Sequence, residues 1–156
     1  MVDTSKLNMG GLILCTEKAQ TELIKRTNDK SANYGLILSD DDIQYLMAER
    51  RDNLKRYERL ELGDGITQKL ILKFCDSAYI SQSNYVDTIA ALMELYYYYT
   101  DESFDTLKDD YILELMKKHF EGSCRGSIEL LEERFEELTL SVRTYCYEKV
   151  GGGLYD

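Results

Sequence analysis

The residues with the most obvious chemical potential lie at positions 122–127, which read GSCRGS. A glycine-rich turn that opens a helix can present backbone N–H groups to an anion, and a guanidinium beside it can complete the cradle. Gly122, Arg125, Gly126 and Ser127 are therefore the candidate anion-binding residues. The stretch lacks the lysine of a P-loop, and Cys124 is followed directly by Arg125, without the longer gap of tyrosine phosphatases. His119 is the only histidine, so any histidine base or triad has to use it. Cys75 followed by Asp76 could act as nucleophile and orienter, but nothing in the sequence brings the pair to His119. Zinc could in principle collect Cys75, Cys124, Cys146 and His119, yet their spacings match no structural zinc site. Di-iron carboxylate chemistry needs Glu-x-x-His, and Met116 stands three residues before the histidine. Gly63, Asp64 and Gly65 begin a dinucleotide fingerprint, but Gln68 replaces its third glycine and a helix precedes the turn where a strand is required. No catalytic residue, metal or cofactor is assigned, and the chain reads as a non-enzymatic protein.

Composition narrows the partners. The formal net charge is −10, which repels phosphate backbones and anionic membranes unless bases gather on one face. They gather only at Arg50, Arg51, Lys55, Arg56 and Arg59, in a segment (residues 40–61) where seven acids outnumber those five bases. That pattern is the sign gradient of a solvated helix, so neither nucleic acid nor membrane is expected as a partner. Tyrosine occurs 13 times and tryptophan is absent, so tyrosine must supply most of the aromatic surface. Residues 96–99 are consecutive tyrosines and, at about 100° per residue, sweep about 300° of a helix. One core cannot bury all of them. If Tyr96 faces the core, Tyr97 and Tyr98 turn away from it and are the candidate interface residues, since tyrosine suits contact surfaces. None of the four cysteines forms a Cys-x-x-Cys pair, which suggests free thiols in a reducing, cytoplasmic setting. The apolar stretch at residues 9–15, MGGLILC, is too short and too poorly flanked for a secretion signal, and no other run reaches the length of a membrane span.

The elements that would position these residues are helices. Proline, the strongest helix breaker, is absent. Glycines punctuate helix-length intervals. A first helix is expected over residues 16–33, closing on Gly35 and lying at the surface. A second starts at Ser39 with an acid three residues on, the capping-box spacing, and carries Ile43, Leu46, Met47, Arg50, Leu54 and Tyr57. A third fits residues 66–76, with Ile66, Leu70, Ile71 and Phe74 on one face. A fourth, capped by Ser81 or Ser83, aligns Tyr85, Ile89, Leu92, Met93 and Tyr96. Thr106 and Asp109 cap a fifth with Ile112, Leu115, Met116 and Phe120 inward, and His119 as a cation at its end. Ser127 caps the longest, whose Ile128, Leu131, Phe135, Leu138, Val142 and Tyr145 form a two-per-heptad seam. The fold expected is all-α, a single-domain bundle of five to six helices over residues 1–156, with residues 1–11 and 151–156 loosely ordered. The seam serves either the bundle core or a homodimer.

The segment FCDSAYISQSNY (residues 74–85), with residues 36–54 and the GSCRGSIELL start of the last helix, resembles an uncharacterised family of small proteins from anaerobic Gram-positive bacteria, a domain of unknown function. The resemblance implies a bacterial cytoplasmic protein and carries over no catalytic residue. The function expected is a protein-protein interaction or regulatory module with a protein partner or a second copy. The alternative is an enzyme or sensor that binds a small anion at residues 122–127.

Overall fold

The computed structural model describes residues 6–9, 12–102 and 108–146, with side chains described over 14–102 and 108–138. The chain is all-α. Helices α1 (Glu17–Ser31), α2 (Asp40–Arg56), α3 (Ile66–Phe74), α4 (Tyr85–Glu102), α5 (Asp109–Glu121) and α6 (Ile128–Cys146) follow a short hairpin of β1 (Lys6–Met9) and β2 (Leu12–Cys15). The hairpin corrects the expectation of a loose start. Its strands pair antiparallel from Lys6 with Cys15 to Met9 with Leu12. The sequence signal is the Gly-Gly pair between an alternating quartet, KLNM, and an apolar one, LILC, a hairpin pattern. Residues 151–156 lie outside the described residues.

The chain divides into two compact units, Met1–Glu94 and Leu95–Asp156, and the division falls inside α4. In the first unit α1 packs against α2 and α3. Thr16 caps α1 by accepting from the Ala19 N–H, and the helix runs through a single 3-10 turn, Ala32–Tyr34, to Gly35 at φ +78°. Only a residue without a Cβ adopts that left-handed closure without strain. The α1 helix is less superficial than expected, because Ala19, Gln20, Ile24, Thr27 and Ser31 are buried. The predicted capping box of α2 is present, Ser39 accepting from Asp42 N–H and the Asp42 carboxylate accepting from Ser39 N–H. Ile66, Leu70, Ile71 and Phe74 form the buried face of α3. Asn84, rather than Ser81 or Ser83, immediately precedes α4, and its carbonyl accepts the Thr88 N–H.

In the second unit α5 packs against α6. Lys108, with no side-chain capping bond, precedes α5, while the expected cap Thr106 lies outside the described residues. Ile112, Met116 and Phe120 are buried on α5 as expected, together with Leu113, while Leu115, also expected inward, is half-buried. Ser127 caps α6, accepting from the Leu130 N–H at 3.2 Å. Of the expected seam, Leu131 and Phe135 are fully buried, whereas Ile128 and Leu138 are half-buried. The Phe135 ring lies 4.6 Å from that of Tyr99. The side chains of Val142 and Tyr145 lie outside the described residues.

Candidate functional site

The residues singled out for chemistry are distributed by the fold as follows. Tyr97 is only 3% exposed and Tyr98 half-buried, which corrects the expectation of an exposed pair. Tyr85, Ile89, Leu92, Met93 and Tyr96 are buried as predicted, but so are Ala90, Leu95, Tyr97 and Thr100. Only a narrow strip of α4, marked by Asp87, Glu94 and Asp101, is open to solvent. A helix covered on most of its circumference takes in residues that a one-sided helix would leave outside.

The 122–127 turn is occupied by its own hydrogen bonds. The N–H groups of Gly122, Cys124, Arg125, Gly126 and Ser127 donate to the carbonyls of Lys118, His119, Gly122, Phe120 and Cys124, at 2.7–3.2 Å. Gly126 and Arg125 take left-handed φ values of +80° and +49° to close this turn. The Ser127 hydroxyl donates to Glu129 at 3.2 Å, a carboxylate placed where an anion would have to approach. These five amides therefore end the helix instead of facing outward. His119, expected as a cation, has its pKa held below the ordinary value by burial, then by Arg134 and Lys118. Cys75 and His119 fall in different units. Cys15, Cys75 and Cys124 are buried thiols in no disulfide, and the Cys146 side chain lies outside the described residues. Among the described residues no group of three or more His, Cys, Asp or Glu side chains could hold a metal ion.

The basic cluster of α2 is drawn into pairs with carboxylates. Arg51 bonds Glu17 at 2.6 Å and Arg56 bonds Glu94 at 3.5 Å, both in solvent. Arg50 is buried. Its Nε donates to Glu61 Oε1 at 2.8 Å and its terminal nitrogen to the Cys15 carbonyl, also at 2.8 Å. The other Glu61 oxygen accepts the Ile66 N–H at 3.0 Å, so one carboxylate ties α2 to the start of α3. Gln20 is fully buried beside them. A Cβ on Gly65 would lie 1.7 Å from Gln20 Oε1 and 2.8 Å from Glu61 Oε1. The Gln20 Oε1 accepts from the Cys15 thiol at 3.9 Å, and its Nε2 has no hydrogen-bond partner among the described residues. This cluster was not foreseen from the sequence. Its only signal is that Arg50 falls on the apolar stripe of its helix.

The surface carries a second unforeseen feature. Residues 36–38 alternate buried, exposed, buried, as an extended strand does, but among the described residues no strand pairs with them. Side chains complete their backbone instead. Leu36 N–H donates to the Ser31 carbonyl, and the Ser31 hydroxyl donates to the Leu36 carbonyl. The Asn28 carboxamide exchanges two bonds with Leu38, at 2.8 and 3.0 Å. The Gln82 carboxamide exchanges two bonds with Ile37, both at 2.8 Å. Three large apolar residues stand exposed on the two segments so joined: Tyr34 at 50%, Ile37 at 46% and Tyr79 at 42%. Tyr34 lies three residues before Ile37, and Tyr79 three before Gln82, so the staple holds both segments together. Asp40, Asp41 and Asp76 are exposed nearby in the chain. On the basic side, Lys30 is held on the Leu72 carbonyl at 3.1 Å.

A protein-family model described as a family of unknown function (DUF6323) matches residues 23–148. No curated protein and no solved structure matches the chain.

Proposed function

The chain belongs to this family of unknown function, and from its own surface we propose that it is a non-enzymatic protein-interaction module whose docking face is built on Tyr34, Ile37 and Tyr79. The observation that carries the reading is the exposure of these three large apolar side chains on two segments that Gln82 brings together and that are held separately, residues 36–38 by Ser31 and Asn28 and Tyr79 by Ser77 and Asn84. Aromatic and branched side chains on a rigid support are what interaction sites use as anchors, since little ordering entropy is lost when a partner covers them. The face belongs to one compact unit and replaces the Tyr97 and Tyr98 surface as the place to look for a partner. The acidic rim favours a partner with basic residues around its apolar anchors, and such binding weakens as salt rises. The cytoplasm of a bacterium is the setting this reading assumes. The test is paired capture from a bacterial lysate with the native chain and with an Ile37→Ser, Tyr79→Ser double variant. A partner that co-purifies with the native chain and is lost from the variant, at an unchanged unfolding midpoint, supports the reading. Equal recovery by both excludes this face.

A further inference from the structure

We infer that the partner segment docks in an extended conformation and takes the place of the Gln82 carboxamide on the backbone of Ile37. The inference rests on the docking-face reading and adds the geometry of what binds there. In an antiparallel ladder a hydrogen-bonded residue pair exchanges two N–H···O bonds. Gln82 reproduces that exchange with a side chain, donating to the Ile37 carbonyl and accepting from its N–H at 2.8 Å each. A carboxamide and a peptide group carry the same donor and acceptor, so a partner residue can substitute for it bond for bond. Such an exchange is nearly neutral in hydrogen bonding, and the gain comes from covering Tyr34, Ile37 and Tyr79.

Position supports the exchange. The opposite edge is closed by Asn28, whose bonds to Leu38 are part-buried, whereas Gln82 is exposed and bonds at the solvent edge. The bridge is a single rung. The Gly35 N–H donates to the Ala32 carbonyl, the Ser39 N–H to Asp42, and the Ser39 carbonyl accepts from Ile43. The chain already makes one isolated bridge of this kind, between Leu14 and Leu62. Asp40 and Asp41, exposed just beyond Ile37, select lysine or arginine on the partner's flank.

The probe is a short capped peptide with a Val-Ile-Val centre flanked by lysines, and the same peptide N-methylated at the central isoleucine, which can no longer donate. Binding is measured at low salt by fluorescence anisotropy. The Gln82→Ala variant should bind the plain peptide severalfold more tightly than the native chain, since its Ile37 is already uncovered. Gln82→Met, of the same length but without hydrogen bonds, should behave alike and guards against an effect of lost packing. N-methylation should weaken binding to Gln82→Ala by about tenfold, as one lost hydrogen bond does. Ile37→Ser should lose the peptide. Equal affinity of the two peptides, or no gain in either Gln82 variant, overturns the extended mode. If Ile37→Ser still weakens binding in that case, the docking face survives. Unchanged binding by Ile37→Ser reduces the interaction to lysines on an acidic surface and removes the docking face as well. Absence of binding to every variant overturns the extended mode and leaves the docking face to the lysate capture.

Discussion

Arg50 and Glu61 are withdrawn from water together, with side chains only 4% and 8% exposed. Removing one partner leaves a buried charge without compensation, which costs about 3–5 kcal/mol. Arg50→Met alone, or Glu61→Gln alone, should therefore destabilise the chain by amounts of that order in urea titration. The Arg50→Met, Glu61→Gln double variant should lose less than the sum of the two single variants. A sum that is simply additive would mean that the two side chains act independently. At Gly65, φ is +84° and a Cβ would strike Gln20, so Gly65→Ala should destabilise by more than about 1 kcal/mol. His119 sets a pH dependence at the same scale. Its pKa is lowered in the fold by burial first and by Arg134 and Lys118 next, so the fold favours the neutral ring. A depressed folded value means that the ring's contribution is complete above the unfolded value, about 6.5, and is lost as pH falls through the folded value. The unfolding midpoint of the native chain should fall across that acid range, more steeply than that of His119→Gln. Parallel curves would show that His119 is not a linked group.

At the scale of elements, the phase of α6 is the sharpest test. Phe135 is fully buried and Leu138 half-buried, while Glu133 and Glu137 are exposed. Phe135→Ala should cost about 3–5 kcal/mol and Leu138→Ala less, by their difference in burial. Glu133→Ala should stay within about 0.5 kcal/mol. Glu137→Ala should do the same, since its contact with Arg134 at 3.2 Å is a solvent-exposed pair. A damaging glutamate substitution would invert the assigned faces. The same logic limits what the tyrosine run can do. Tyr97 is inside, so replacing Tyr97 and Tyr98 together with serine removes a core ring and tests stability before it tests any interface. The Ser39 capping box is a separate contribution, and Ser39→Ala should cost about 1 kcal/mol.

For the whole molecule, the compact units Met1–Glu94 and Leu95–Asp156 meet within a single uninterrupted helix. Unfolding either unit would fray α4 inside the other. We therefore propose that the chain behaves as one domain, with a single calorimetric transition and equal calorimetric and van't Hoff enthalpies. Two resolved transitions would separate the units thermodynamically. Cys15, Cys75 and Cys124 are buried, so a thiol reagent should label them slowly in the folded protein and rapidly in denaturant, and all three labelling rates should follow the same opening. No helix among the described residues is long and apolar enough to cross a membrane.

Helix existence and most helix ends were legible in the sequence by itself, because the forces that set them act over three or four residues. Thr16, Ser39 with Asp42, and Ser127 each bond backbone groups within their own turn, and Gly35 takes its left-handed φ without reference to distant residues. The apolar stripes of α3, α5 and α6 point inward wherever the helices lie, so Ile66, Leu70, Ile71, Phe74, Ile112, Met116, Phe120, Leu131 and Phe135 could also be read, though not Leu113. The sequence likewise indicated that Arg125, Gly126 and Ser127 form a helix-start turn, but not that the turn's amides bond inward. What the tertiary structure alone decided depends on which element arrives alongside. Tyr97 is buried because α4 is covered on most of its circumference, and periodicity cannot report how many sides of a helix are covered. Arg50 looked like one more base on a solvated helix until Glu61 and the Cys15 carbonyl were placed against it. The pairing of Ile37 with Gln82 joins residues 45 positions apart, and no local spacing encodes it. Backbone groups in water need no partner, so packing obliges buried Leu36 and Leu38 to find Ser31 and Asn28, whereas the exposed Ile37 pairs with Gln82 only because the two segments come together.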